Sequence, residues 1–368
     1  MLVYIFAAVF PLIVGEIYTK KFGTYNHLEE KHPKLLRYLI LAALPMFLLI
    51  ALRGYQIGND TWVYVRVFRD MGNYTWQDIL NEDVALGFAR LEKGFLFFAK
   101  FVRIFTDNGL LFQIVYTSVY FIAVLHFIYH EKANPFLFLF FFATLGTFMF
   151  FFTGVRQCLA MCICLFAYQF AKKKKLIRFA LLVLLAFFFH KSAAIFAVVP
   201  LVLHRKIRFY NIFFYVAGII LLVISLDSAV AQLNDLLGYD TVLEETGNGY
   251  ISFLSMLAIF LFSLINLSAK ESKDDITARR LFNTSVLCVA MWTARLFTRT
   301  AERPSFYFSF FLFAMLAYAF DYMPKGRNKS LWYLVVIGLC LGLFIYKFTN
   351  TFATFIPYTF YTEWSATN

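Results

Sequence analysis

The sequence predicts an all-α polytopic membrane protein, one helical domain over residues 1–368 with about 12 transmembrane segments. Of its 368 residues, 61% are hydrophobic, whereas soluble domains rarely reach half apolar. Apolar runs approaching the roughly 20 residues that cross a bilayer recur along the whole chain. The lysines and arginines lie between these runs, so the net charge of +12 indicates cytoplasmic loops and argues against nucleic-acid binding.

The first half of the chain contains five predicted crossings, at residues 2–18, 35–52, 110–129, 136–152 and 155–171. Basic clusters follow alternate runs, which places these clusters in the cytoplasm and the N-terminus outside. Residues 53–108 form the longest polar stretch, on the outer face. Tyr and Trp recur there, and Lys100 and Arg103 interrupt its apolar part at 94–105. This pattern predicts an amphipathic or re-entrant segment in place of a full span.

A short hairpin is predicted at residues 176–203, because both of its flanks are basic. Lys172–Lys175 precede it and His204–Arg208 follow it, so both ends lie in the cytoplasm. Each arm has about 14 residues, or roughly 21 Å of helix, which is shorter than the roughly 30 Å hydrocarbon core. The turn at His190 and Lys191 is therefore expected in a wet cavity recessed below the outer surface.

The second half continues with crossings at residues 209–226, 250–269, 281–297 and 331–348, and with one that opens at Pro304. The outer loop 227–249 has five acidic residues and no basic one, as an outer loop permits. All five cysteines fall within predicted helices. We therefore expect neither a disulfide nor a metal site.

Polar side chains gather near the outer ends of several predicted helices, against the positive-inside bias. They are Arg53, Asp60, Arg156, Gln157, His190, Arg295, Arg299, Glu302 and Arg303. The planar guanidinium of arginine holds phosphate oxygens bidentately and stays charged at every relevant pH. Several arginines around a wet cavity would hold a diphosphate and stabilise it as a leaving group. A neighbouring imidazole or carboxylate, from His190 or Asp60, could take a proton from an attacking hydroxyl.

Each of these residues also has a structural interpretation. An outer arginine can simply snorkel to lipid phosphates, His190 can satisfy a helix bend, and Asp60 can serve as a turn residue in Gly-Asn-Asp. The Tyr and Trp of residues 53–108 can form an interfacial belt in place of a sugar platform. Catalytic metal spacings, Walker-type loops and nucleophile elbows are absent from the sequence. The occurrence of all these residues together therefore supports a functional site more strongly than any one of them does.

The chain resembles the EpsG family of Wzy-like polysaccharide polymerases, in pieces that keep their order over nearly the whole length. The pieces are LRGYQIGNDTWVYVRVF, EKGFLFF, GVRQCLAMCICLFAYQFAKKKK, FFFHKSAAIFAVVPLV and NTFATFIPYTFY. The residues that match by position are Arg53, Asp60, Glu92, Arg156, Gln157 and His190. The piece RLFTRTAERP fits the family less clearly. Its residues Arg295, Arg299, Glu302 and Arg303 are candidates mainly because the predicted topology places them near outer helix ends.

The resemblance implies an enzyme of the bacterial inner membrane with an outward-facing active site. It would join undecaprenyl-diphosphate-linked oligosaccharide repeat units into capsular, exopolysaccharide or O-antigen chains. We expect a metal-independent glycosyltransferase without a cofactor, surrounded by membrane lipid, with a flippase and a chain-length regulator as partner proteins. In this mechanism Arg156, Arg299 and Arg303 bind the leaving diphosphate, and His190 or Asp60 is the base.

Two alternatives to a polymerase remain. One is an O-antigen-ligase-like transferase, which moves a finished glycan to another acceptor. The other is a non-enzymatic flippase for lipid-linked oligosaccharides. A flippase is expected to carry charges deep in both halves of the chain and often an internal repeat, and neither is clear in this sequence.

Overall fold

The computed structural model describes residues 1–23, 32–58, 60–81, 91–206, 213, 217–218, 249–267, 275–297, 299–323, 327–351 and 355–362. In these ranges every regular element is a helix, and the pairing of Arg53 with Phe360 is an isolated β-bridge. The predicted all-α class is therefore confirmed.

The α-helices, in chain order, are α1 (Leu2–Phe22), α2 (Leu35–Ala51), α3 (Thr61–Asp70), α4 (Trp76–Asn81), α5 (Lys93–Arg103), α6 (Gly109–His130), α7 (Pro135–Thr144), α8 (Thr147–Phe150), α9 (Val155–Lys172), α10 (Leu176–Phe189), α11 (Val199–Leu203), α12 (Tyr250–Leu267), α13 (Ile276–Arg295), α14 (Glu302–Tyr322) and α15 (Arg327–Asn350). Two 3₁₀ helices cover Lys191–Val198 and Arg299–Ala301.

Five of the described helices are long and apolar enough to cross a membrane, namely α1, α6, α12, α14 and α15. Shorter apolar helices are α2, α7, α10 and the arm at 191–203. The described part of the chain therefore does not reach the predicted count of about twelve spans. The predicted span 209–226 and the outer loop 227–249 lie outside the described residues, apart from 213, 217–218 and 249.

Helices α7 and α14 form the centre of the bundle. All ten residues of α7 are buried. In α14, 83% of the 18-residue apolar stretch is buried, whereas in the peripheral α15 only 17% of the corresponding stretch is buried. Aromatic rings fill the space between the two central helices, as in the stacked pair Phe142 and Phe310, whose centroids lie 5.9 Å apart. Burial of such large rings fixes the position of α14, and with it the polar residues of its first turn.

The predicted crossing 136–152 is wrong as a single helix, because it is interrupted at Gly146. Helix α7 ends at Thr144 and α8 begins at Thr147, and Gly146 lies between them at φ 104°. Glycine adopts this left-handed backbone without the steric cost that other residues incur. The Thr147 hydroxyl is hydrogen-bonded to the Ser309 hydroxyl of α14 at 2.9 Å. Irregular backbone in a membrane protein is tolerated where protein surrounds it, and the residues on either side of Gly146, Leu145 and Thr147, are buried.

The start of α13 also differs from the prediction. This helix begins at Ile276, ahead of the predicted Leu281, because Asp275 caps it. The Asp275 carboxylate accepts hydrogen bonds from the amides of Thr277 and Ala278, at 2.7 and 3.3 Å. Similarly, α14 begins at Glu302, so Pro304 lies within its first turn and not at its first position.

The predicted hairpin 176–203 consists of two helical arms that meet at His190. Helix α10 forms the first arm. The second arm begins as a 3₁₀ helix over Lys191–Val198, a form that the sequence pattern did not predict. Phe196 of this arm stacks on Phe308 of α14 with ring centroids 5.9 Å apart. The hairpin therefore packs against the centre of the bundle and presents His190 at its end.

In the predicted amphipathic segment within 53–108, the described residues form three short helices, α3, α4 and α5, instead of one. Its apolar side chains face the bundle: Phe68 stacks on Phe112 of α6 with ring centroids 4.3 Å apart, and Phe95 is buried. Arg66 and Asp70 lie on the opposite, exposed side of α3. This orientation is typical of a helix that covers the end of a bundle.

The C-terminal residues 355–361 lie against the end of α2. The Gly54 amide donates to the Thr359 carbonyl at 2.7 Å, and the Tyr361 amide donates to the Leu52 carbonyl at 2.8 Å. These bonds hold the turn after α2, from which the polar stretch begins.

Candidate active site

Polar side chains from five parts of the chain meet beside the turn of the hairpin. This polar cluster comprises Asp60, Tyr64, Glu92, Arg156, His190, Ser192, Arg303 and Tyr307. Its members come from the start of α3, the N-cap of α5, the first turn of α9, the hairpin turn and the first two turns of α14. Tertiary packing, and not proximity in sequence, brings these parts together.

Arg156 and Glu92 form an ion pair within the cluster. Nη1 of Arg156 donates to Oε2 of Glu92, and the Arg156 side chain is also hydrogen-bonded to Tyr64. The Glu92 side chain is 4% exposed and the Arg156 side chain 18%, so the arginine is the partner that a ligand can reach. A guanidinium has five N–H donors. Arg156 can therefore hold Glu92 and an anion at the same time, and the N-terminus of α9 adds positive potential there.

His190 follows α10 and is hydrogen-bonded within its own turn. Its Nδ1 lies 2.6 Å from the Ser192 hydroxyl, and the Ser192 amide donates to the same nitrogen at 3.3 Å. The Ser192 hydroxyl lies 3.2 Å from the hydroxyl of Tyr307, which is buried on α14. A continuous chain of hydrogen bonds thus connects the hairpin turn to the central helix.

Asp60 is exposed and shares its electrostatic surroundings with His190. The charges of Arg156 and Arg303 act on both the Asp60 carboxyl and the His190 imidazole, and the charge of Glu92 acts on His190. Although the Asp60 side chain reaches solvent, the surrounding protein partly desolvates its carboxyl and raises the pKa above its ordinary value; the charges of Arg303 and Arg156 oppose this rise. Two groups that can accept a proton therefore lie beside the same two arginines.

Gln157 connects the first turn of α9 to the first turn of α14. Its Nε2 donates to the backbone carbonyl of Arg303 at 2.6 Å. Gln157 is buried, whereas the Arg303 side chain is exposed. The bond therefore fixes the backbone of Arg303 and leaves its guanidinium on the open side of the cluster.

Arg53 lies fully buried beneath the loop that carries Asp60. Its Nη2 donates to the Tyr116 hydroxyl at 3.0 Å and to the Phe152 carbonyl at 3.2 Å. The Thr61 hydroxyl accepts from Nε and Nη2, at 3.3 and 3.2 Å. The guanidinium thus joins the start of α3 to the turn before α9, and its described contacts are all with protein groups.

The three remaining predicted residues lie at the α13–α14 connection. Nε of the buried Arg295 donates to Oε2 of Glu302 at 2.8 Å. Arg299 is exposed on the 3₁₀ turn that precedes α14. The structure therefore brings Arg303 into the polar cluster and pairs Arg295 with Glu302 at the start of the same helix.

Two glycines allow the segments of the site to approach one another. A Cβ at Gly58, where φ is +87°, would collide with the Phe152 carbonyl oxygen just before α9. A Cβ at Gly94 would lie 2.5 Å from the carbonyl oxygen of Phe188, near the end of α10. Larger residues would therefore push the Asp60 loop away from α9, or the helix that follows Glu92 away from the hairpin.

Three members of the polar cluster, Tyr64, Ser192 and Tyr307, were not predicted from the sequence. Helical spacing could have indicated two of them, since Tyr64 follows Asp60 by four residues and Tyr307 follows Arg303 by four. Ser192 has no comparable signal, because its role depends on a contact between the hairpin and α14.

The described residues contain no group of three or more His, Cys, Asp or Glu side chains that could hold a metal ion. The five cysteines are buried free thiols. The chemistry that the cluster itself offers is that of guanidinium, imidazole, carboxyl and hydroxyl groups.

In comparison with known proteins, the model of the EpsG family matches residues 36–360. This range includes every member of the polar cluster and nearly the whole chain. No curated protein and no solved structure matches.

Proposed function

The chain belongs to the EpsG family, and we propose that it is a polymerase that joins lipid-linked oligosaccharide repeat units into a polysaccharide. The proposed lipid carrier is undecaprenyl diphosphate, and the proposed location is the outer face of the bacterial inner membrane. The product would be a capsular, exopolysaccharide or O-antigen chain. The observation that carries the proposal is the placing of two arginines, a carboxyl and an imidazole beside one another in a helical membrane protein.

Arg156 and Arg303 are proposed to bind the diphosphate of the growing chain. Their charges act on both Asp60 and His190, so an anion held between the arginines would lie beside both groups. Negative charge develops on the diphosphate as its bond to the sugar breaks. Donors that are already oriented stabilise this charge more than they stabilise the reactant. Arg299 would add a third positive charge from the preceding turn.

The attacking group is proposed to be a hydroxyl of the incoming lipid-linked unit, and the target is the anomeric carbon of the growing chain. His190 or Asp60 takes the hydroxyl proton as the new glycosidic bond forms. The electron pair of the broken bond leaves with the diphosphate. In this mechanism the protein accepts and releases only a proton.

Glu92, Gln157 and Arg53 are proposed to position the groups that bind substrate. Glu92 orients the Arg156 guanidinium, and Gln157 holds the Arg303 backbone. Arg53 is fully buried, which supports a role in anchoring the Asp60 loop over direct contact with substrate. The Arg295–Glu302 ion pair would likewise hold the start of α14 in position.

Purified protein in liposomes, supplied with undecaprenyl-diphosphate-linked repeat units extracted from the source bacterium, tests the proposal. We expect a ladder of lipid-linked oligomers and release of undecaprenyl diphosphate, both unaffected by EDTA. A single transfer to a different acceptor would identify a ligase-like transferase. Movement of the lipid across the bilayer without a new glycosidic bond would identify a flippase. Either result would overturn the polymerase assignment.

A further inference from the structure

The hydrogen bonds around His190 determine which of its ring nitrogens carries the proton. The Ser192 amide lies 3.3 Å from Nδ1 and points its hydrogen at it. A backbone N–H can only donate, so a proton on Nδ1 would face the amide hydrogen. Nδ1 is therefore the accepting nitrogen of the neutral ring.

Tyr307 supplies an independent constraint through the Ser192 hydroxyl. Tyr307 is 1% exposed, and in the described part of the chain its hydroxyl has Ser192 Oγ, at 3.2 Å, as its hydrogen-bond partner. A buried O–H that fails to donate is costly, so the Tyr307 proton is directed at Ser192. Ser192 has a single hydroxyl proton, which is then directed at Nδ1 of His190, 2.6 Å away.

We propose that His190 acts as a hydrogen-bond donor, through Nε2–H, to the bound diphosphate, and that Asp60 is the general base. A neutral imidazole that accepts at Nδ1 carries its proton on Nε2. Both described hydrogen bonds of the ring are made by Nδ1, so Nε2–H is the donor that remains for a ligand. The assignment rests on the proposed glycosyl transfer and decides between the two bases that the sequence leaves open.

The acceptor hydroxyl attacks the anomeric carbon and gives its proton to the Asp60 carboxylate. The bond between that carbon and the diphosphate oxygen breaks, and its electron pair leaves with the diphosphate. His190 donates a hydrogen bond to the leaving group and keeps its proton, beside the charges of Arg156, Arg303 and Glu92. Asp60, which is exposed and faces Tyr64 and the two arginines, returns its proton to water.

Nitrogen-15 NMR of the full chain, labelled at histidine and reconstituted in bilayers, tests the tautomer without substrate. The chain has six histidines, and the signals that disappear in His190→Gln identify residue 190. At about pH 8, where an ordinary imidazole is neutral, we expect the proton on Nε2 and an unprotonated Nδ1. A proton on Nδ1 would overturn the proposal, whatever reaction the protein catalyses.

The activity of matched variants tests the roles. Glutamine keeps an N–H donor but is not a base, so His190→Gln should retain turnover to within about tenfold. His190→Phe keeps a planar ring without a donor and should lose about 10²-fold in kcat. Asp60→Asn should lose roughly 10²–10⁴-fold, as expected when a general base is removed. Thermal unfolding of each variant in detergent should match that of the unaltered protein.

Two results would contradict these roles. Loss of turnover in His190→Gln as large as in Asp60→Asn would return the role of base to His190. Full activity of both His190 variants would remove the imidazole from the reaction. Failure of the unaltered protein to form lipid-linked oligomers in liposomes would instead refute the proposed function, so the two failures are distinguishable.

Discussion

Arg156 and Glu92 form an ion pair across 64 positions of sequence, and this pair joins the first turn of α9 to the segment that covers one end of the bundle. Because Glu92 is the more deeply buried partner, it holds the guanidinium in place while leaving part of it open. The geometry of the arginine therefore depends on how the covering segment docks.

Arg156→Ala is expected to abolish polymerisation, and Arg156→Lys to restore little of it. A lysine point charge cannot reproduce a bidentate grip on a diphosphate. Loss of such contacts should reduce turnover by about two orders of magnitude or more. Polymer chain lengths on a gel, from cells with equal amounts of each protein, provide the measurement. Arg66→Ala is the matched control, because Arg66 is exposed on α3 and pairs only loosely with Asp70, at 3.7 Å. Chain lengths of the unaltered protein in Arg156→Ala would reject the role.

Gly94→Ala is expected to reduce both stability and activity. The added Cβ would lie 2.5 Å from the Phe188 carbonyl oxygen, so α5 must move away from α10. Overpacking of this kind typically costs about 1–3 kcal/mol, and the shift would also displace Glu92. Thermal unfolding and polymer length measure the two effects. Gly338→Ala should be harmless, because a Cβ at that position meets nothing within 4 Å. Equal behaviour of the two variants would show that the close approach is unimportant.

Arg53→Leu is expected to destabilise the fold. The substitution would remove the guanidinium hydrogen bonds to the Tyr116 and Thr61 hydroxyls and to the Phe152 carbonyl. Each hydrogen bond to a charged group contributes about 1.5–3 kcal/mol. The midpoint of thermal unfolding in detergent should fall clearly. Lys20→Ala, whose side chain is 76% exposed, should change stability by less than about 0.5 kcal/mol. An unchanged unfolding midpoint with lost activity would instead indicate that Arg53 contacts substrate.

The pH dependence of turnover is expected to show an acid limb that belongs to Asp60. A base must be deprotonated, so turnover falls as the pH drops through its pKa. Burial raises the pKa of Asp60, so this limb should lie above the value of about 3.9 for an ordinary aspartate. Arg303 opposes the rise, so Arg303→Ala should move the limb of the residual activity to higher pH. A limb that persists in Asp60→Asn would assign it to another group.

Lys191 is expected to face outward between two cytoplasmic basic clusters. In a background without the five native cysteines, Lys191→Cys should react with an impermeant thiol reagent from outside. Lys174→Cys, in the exposed turn before α10, should react only from the cytoplasm. Labelling of position 191 from the cytoplasm alone would refute both the hairpin topology and an outward-facing site.

Local sequence was enough to predict the helical class and the position of most helices. Hydropathy predicted the apolar runs, and the basic residues on both flanks of 176–203 predicted a hairpin whose turn is at His190. These features depend on residues close together in the chain. The motif residues also indicated the family, because their order is itself a property of the sequence.

The tertiary structure alone decided how the site is built. The interruption at Gly146, the burial of Arg53 and the chain of hydrogen bonds from Tyr307 to His190 each depend on contacts between distant segments. A hydroxyl such as that of Ser192 becomes part of a site only when packing places a partner within about 3 Å of it. Sequence thus determined which polar groups the outer ends of the helices carry. Packing determined which of them meet, because the burial of aromatic faces around α7 and α14 fixes the relative positions of the helix ends.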